Sequence, residues 1–188
     1  MFFFNENCEL HFKPLSIEHA YLNLLNNDID AAKLIFQNID SPRAKWGLVL
    51  VDILNGYVQN FPTYFQIRNF LEIDLDFLIK NEKNDYVELV LGASEFLSTL
   101  NNECYKYIAR VLLENKFYNV SFNYLEKSKC LFYRDPELHF LYSKYYVKKG
   151  DYTQADYYIN ECLKILPDDY PAKIFKKAIL LNLDNYNN

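Results

Sequence analysis

The feature that most constrains this chain is a gapless match to itself at a spacing of 34 residues. The stretch "VKKGDYTQADYYINECLKILPDD" (147–169), slid back by that spacing, lands within "NECYKYIARVLLENKFYNVSFNYLEKSKCLFYRD". Tyr105 falls on His139, Ala109 on Ser143, Leu112 on Tyr146 and Tyr118 on Tyr152. Ser121 then falls on Ala155, Leu125 on Ile159, Ser128 on Cys162 and Asp135 on Asp169. Small residues meet small ones and large apolar residues meet large apolar ones. A period of this length marks a stacked array of supersecondary units, none of which buries its apolar face alone.

Each unit reads as an antiparallel helix pair. In 136–149 Phe140, Leu141, Tyr145 and Tyr146 recur at helical spacing around Ser143. In 152–166 Ala155, Ile159, Cys162, Leu163 and Leu166 form an i, i+4, i+7 stripe. Small Ser143 and Ala155 allow the two axes to approach closely. Gly150 supplies the left-handed residue between the helices. Asp135-Pro136 is a cap followed by a first-turn proline, and Pro167 and Pro171 close the pair and restart the chain.

The pattern resembles the tetratricopeptide (TPR) repeat. Residues 136–169 are similar to it through Ser143, Tyr146, Gly150, Asp151, Tyr152, Ala155, Cys162 and Pro167, with His139 where Trp is common. Residues 102–135 resemble it more loosely, with Asn115-Lys116 in place of Gly and Tyr133 in place of Pro. The resemblance implies an all-α, right-handed α-solenoid of antiparallel pairs, about ten helices in all. Residues 170–183 look like a C-terminal capping helix with Ile174, Ala178 and Leu181 on one face, followed by a frayed "DNYNN" tail.

Upstream, 68–101 lies on the same frame as helices near 63–80 and 85–99. "NDIDAAKLIFQNIDSP" is TPR-like again but out of phase, and leaves a helix near 43–56 without a partner. The expected organisation is therefore a helical unit over 1–60, pairs over 63–99, 102–135 and 136–169 within 61–188, and the cap over 170–183. Together they make one continuous solenoid, with "YVQNFP" (57–62) as its internal joint. "WGLVLVDIL" (46–54) also reads as a buried strand, but a lone strand among helices has nothing to pair with.

Four glycines leave no phosphate-binding loop. The net charge of −5 argues against a nucleic-acid partner or a polybasic membrane surface. That charge is uneven: residues 1–98 carry a net −7 and residues 99–188 a net +2. Cys8, Cys104, Cys130 and Cys162 form no CxxC pair and suit a reducing compartment, with Cys162 as core filler. His11, His19 and His139 show no metal-ligand spacing. "MFFFNENCELHF" has neither a basic start nor a sustained apolar run, so a cytoplasmic protein without membrane partner is expected. No catalytic residue, cofactor or metal is expected.

Two candidate surfaces emerge. In TPR arrays the first helix of each pair lines the concave face. The resemblance places Glu103, Lys106, Arg110, Leu113 and Glu114 there, followed by Glu137, Phe140, Lys144, Val147 and Lys148. Lys106, Arg110, Phe140, Lys144, Val147 and Lys148 would form a basic strip suited to an acidic or C-terminal peptide. The carboxylate clamp of chaperone-binding TPR adaptors is matched only at Lys106, so that partner is not expected. Tyr64, Phe65 and Arg68, beside Phe61 and Phe70, form a second patch able to stack bases or grip a peptide, although core packing of Phe61 and Phe65 is more economical. The carboxylates Glu72, Asp74, Asp76, Glu82 and Asp85 read as a solvated face, with Glu72 and Asp76 spaced as a general acid/base pair would be. The expectation is a non-enzymatic scaffold or adaptor that binds a protein or acidic segment. A self-assembling homo-oligomer is the alternative, and a nucleic-acid or catalytic accessory role the weaker third.

Overall fold

The structure, a computed structural model, describes residues 16–132 and 134–186, with side chains only as far as 183. Cys8, His11 and Tyr133 lie outside the described residues. Eleven helices and no strand occur among those residues: α1 Ile17–Leu25, α2 Ile29–Gln37, α3 Pro42–Leu54, α4 Tyr64–Lys80, α5 Asn84–Gly92, α6 Ser94–Leu100, α7 Cys104–Glu114, α8 Tyr118–Leu131, α9 Pro136–Lys149, α10 Tyr152–Ile165 and α11 Tyr170–Tyr186. Consecutive helices pack on each other, and α4 also packs on α7, and α7 on α9.

One turn recurs along the chain. Asn27, Gly56, Glu82, Lys116 and Gly150 all have positive φ, between 57° and 79°. After each, the next backbone N–H reaches back over the turn: Asp28 to Asn23 O, Tyr57 to Asp52 O, Lys83 to Leu78 O, Phe117 to Leu112 O and Asp151 to Tyr146 O, at 2.9–3.1 Å. These are Schellman closures, which satisfy carbonyls that a helix end otherwise leaves bare. Glu82, Lys116 and Gly150 are spaced by 34 residues, so the frame extends one pair further upstream than signature residues reveal.

Small residues stand at the same offsets from three of these turns. Ala20 and Ala32 flank Asn27, Ala109 and Ser121 flank Lys116, and Ser143 and Ala155 flank Gly150; all six are fully buried. Ser121 Oγ donates to Ala109 O, and Ser143 Oγ donates to Ala155 O, both at 2.7 Å. The hydroxyl thus sits on opposite helices in the two pairs and bridges the same gap.

The phase slip upstream has a physical cause. Helix α3 ends in the left-handed Gly56, but no second helix follows. Asp52, fully buried, ties down the loop instead, its Oδ2 accepting from Gln59 N (2.9 Å), Asn60 N (2.7 Å) and Asn60 Nδ2 (2.9 Å). Thr63 then opens α4 with a reciprocal capping box to Gln66. Without a partner helix of its own, α3 is wrapped by α2, α4 and α5, and nine of its thirteen residues are buried. This is why "WGLVLVDIL" is apolar on every side yet helical. At Gly47 an added Cβ would come within 2.5 Å of the Phe36 ring, so only glycine lets α2 lie this close.

Three expectations are corrected. The helix near 85–99 breaks at Ala93 into α5 and α6, where Gly92 weakens it. Helix α11 runs to Tyr186, through most of the supposed frayed tail, and residues 187–188 lie outside the description. Its buried face carries Ala172 and Ile179, while Ile174, Ala178 and Leu181 face outward. The small bulk of Ala172 seats α11 on Ala155, Ile159 and Cys162 of α10, and that seat sets the rotation.

Asp74 joins the N-terminal helices. It accepts from Tyr21 OH (2.8 Å) and Trp46 Nε1 (2.6 Å) and is clasped by the Arg43 guanidinium, which lies 4.7 Å from the Tyr21 ring centre and 4.9 Å from that of Phe70. Burial pushes its carboxyl above the usual range, against the pull of Arg43. Asp74→Ala should cost about 3 kcal/mol by chemical denaturation, because it strands a half-buried guanidinium and two ring donors. Glu82→Gly and Lys116→Gly should each stabilise by about 0.5–1 kcal/mol, since both side chains now sit in the left-handed region.

Candidate functional site

The expected basic strip divides in two. Lys106 lies only 3% exposed. Its Nζ donates to Asp135 (2.6 Å), meets Glu137 at 2.9 Å and reaches Glu103 at 3.4 Å. Burial opposes its charge, but the hydrogen bonds to Asp135 and Glu137 outweigh it and hold the amine above its ordinary value. Arg110, half-buried, spans Glu72 at 2.8 Å and Glu137. Glu103 accepts further bonds from Tyr107 OH (2.6 Å) and Tyr64 OH (3.4 Å); burial raises its carboxyl, and these donors with Lys106 pull it below the usual range. Lys106 therefore does not stand on a solvent-facing strip. It holds α7 to the start of α9, its charge consumed by carboxylates the sequence frame placed beside it.

Phe140, Lys144, Val147 and Lys148 are disposed differently. Lys144, Val147 and Lys148, together with Arg110, Leu113, Glu114, Lys116, Tyr118, Leu141 and Phe175, line one cavity of about 370 Å³ between α7, α9 and α11, and Phe140 stands outside that lining, against Phe175. Its apolar walls are Leu113, Leu141, Val147 and Phe175. Phe175 enters from α11 and meets the Phe140 ring edge-on at 5.4 Å between centroids. The Lys144 ammonium lies 5.3 Å from the Phe140 centroid, a cation–π distance. Among the described residues no carboxylate lies within 4 Å of Lys116, Lys144 or Lys148. The cavity is thus an apolar hole rimmed by three lysines, by Arg110, which is paired with Glu72 and Glu137, and by one carboxylate, Glu114. Lys116, Tyr118 and Phe175 were not foreseen; Asn115-Lys116, standing where the repeat has Gly, was the available signal for the turn that carries Lys116.

The second patch is exposed. Phe61 and Phe65 are 69% and 66% exposed, against the core reading, because Ile67, Leu71, Leu75 and Leu78 take the buried stripe of α4 and Phe61 precedes the helix. Tyr64 and Phe65 touch edge-on at 5.6 Å, Tyr64 leans toward Glu103, and Arg68 is exposed.

The acidic cluster is not one solvated face. Asp74 is the buried hub, Glu72 takes Arg110, and Asp76 takes Lys80 and Asn115 Nδ2 (2.9 Å), so Glu72 and Asp76 are separately engaged. Burial pushes the Cys104 thiol up to about 12 and the Cys162 thiol up to about 11, which makes both poor nucleophiles. His139 is half-buried against Tyr158, and His19 is exposed beside Ser16. Among the described residues no helix is long and apolar enough to cross a membrane. No family model and no curated protein matches the chain.

Lys106→Met should cost about 3 kcal/mol in denaturant unfolding, because it leaves three carboxylates facing one another. The raised amine contributes stability that is full below its unfolded value and lost as pH rises through its higher folded value. The gap between wild type and Lys106→Met should therefore narrow above about pH 10.4.

Proposed function

We propose that the chain is a non-enzymatic scaffold, a right-handed TPR-like solenoid that binds an acidic segment of another protein on the face formed by its first helices. The observation that carries this reading is the contrast in charge along that face. Lys106 and Arg110 are satisfied from within the chain, whereas among the described residues Lys116, Lys144 and Lys148 pair with no carboxylate and surround an apolar cavity whose one acid is Glu114. A cavity of this size takes one or two large apolar side chains. A partner would seat Leu or Phe against Leu113, Leu141, Val147 and Phe175 and place Asp, Glu or a terminal carboxylate beside the lysines. The apolar anchor provides most of the affinity, and the rim charges set specificity and association rate. Nothing in this cavity pairs a nucleophile with a base, which supports binding and not catalysis.

A displayed peptide library screened on the purified chain should enrich peptides with one or two large apolar residues flanked by acids. Titrated by calorimetry, Lys144→Glu/Lys148→Glu should weaken such a peptide at least tenfold, with Phe175→Ala close behind and binding falling as salt rises. Enriched peptides without acids, or affinity indifferent to the lysine reversals, would defeat the proposal.

A further inference from the structure

Two apolar surfaces outside this cavity are left open, and the charges around them are opposite in sign. On α11 the line of Ala172 and Ile179 faces α10, and half a turn away Tyr170, Ile174 and Leu181 are 71%, 51% and 66% exposed. Lys173 and Lys177 are exposed beside that outer stripe, Lys173 also meeting Asp168 at 3.1 Å in a solvent-exposed ion pair that a partner carboxylate can replace. The outer side of α11 is thus a basic-edged apolar ridge.

The opposing surface lies on α5. Tyr57, Val58, Leu89, Gly92 and Phe96 line an apolar notch of about 320 Å³, and the exposed Phe61 extends it by an edge-on contact with Phe96 at 5.6 Å. Glu88 stands in its lining, and Asp85 is exposed one turn earlier on the same helix. At Gly92 a Cβ would meet nothing within 4 Å, so the helix backbone is open to close approach there.

We infer that the outer ridge of α11 in one molecule docks on the α5 notch of a second copy of this chain. Each surface is exposed in the single chain, so neither covers the other intramolecularly. Pairing α11 with α11 would oppose Lys173 and Lys177 to themselves, and pairing notch with notch would oppose Asp85 and Glu88. Only the crossed arrangement brings ammonium to carboxylate while covering both apolar surfaces. The uneven charge of the chain, −7 over 1–98 and +2 over 99–188, favours the same crossing at longer range. This association uses neither Lys144 nor Lys148, so it stands or falls apart from the peptide cavity.

The test is sedimentation equilibrium across a concentration series at low and high salt. Wild type should show a mass that rises with concentration and falls with salt. Lys173→Glu/Lys177→Glu and Asp85→Lys/Glu88→Lys should each weaken association at least tenfold. An equimolar mixture of the two should recover it, because the reversed ridge then meets a reversed notch. Gly92→Gln, which fills the notch without changing charge, should also give monomer, with circular dichroism checking that each variant is folded. A wild type that stays monomeric throughout, reversals without effect, or a folded mixture that fails to associate would overturn the inference.

Discussion

The architecture depends on how closely two helices approach across a short left-handed reversal. At Ala20/Ala32, Ala109/Ser121 and Ser143/Ala155 the side chains are small enough to bring the backbones together, and a left-handed residue midway lets the chain turn back without strain on the helix ends. Once that distance is set, each pair presents a flat apolar flank to the next, and one core runs from Ala20 to Tyr145. Where the motif is incomplete, after Gly56, the buried carboxylate of Asp52 organises a loop in the space of a helix, and α3 is enclosed by its neighbours.

Charge is used in two ways that composition cannot separate. Asp74 with Arg43, and Lys106 with Asp135, Glu137 and Glu103, are ion pairs taken largely out of water and bound to several donors or acceptors at once. Such pairs offer little net stabilisation over apolar packing, but breaking one leaves a buried charge and is costly. Their effect is to fix which helix stands against which. Among the described residues the lysines around Phe175 have no such commitment, and the proposed binding site rests on that difference.

Much of this was legible residue by residue. Asp135-Pro136, Gly150, Ala155 and Cys162 each do what the repeat reading required of them, since turn, cap and close contact are local properties. The helix spans of α3, α4, α9 and α10 follow for the same reason. Asp74 was misassigned to a solvated face, although it stands in line with Ile67, Leu71 and Leu78; an acid on an apolar stripe was the available signal. The outward rotation of Ile174 and Leu181 left no such trace, because α11 carries two apolar stripes and either could have faced the core.

The sequence by itself determined the helix pairs over 102–135 and 136–169 and the turns inside them, because period and small-residue spacing act over fewer than forty residues. Tertiary structure alone decided which of two stripes on α11 is buried, that Phe61 and Phe65 are exposed, and which cations are free. The reason is that a lysine's availability depends on carboxylates brought from elsewhere in the chain. Arg110 meets Glu72 from 38 residues away, while among the described residues no carboxylate comes within 4 Å of Lys144.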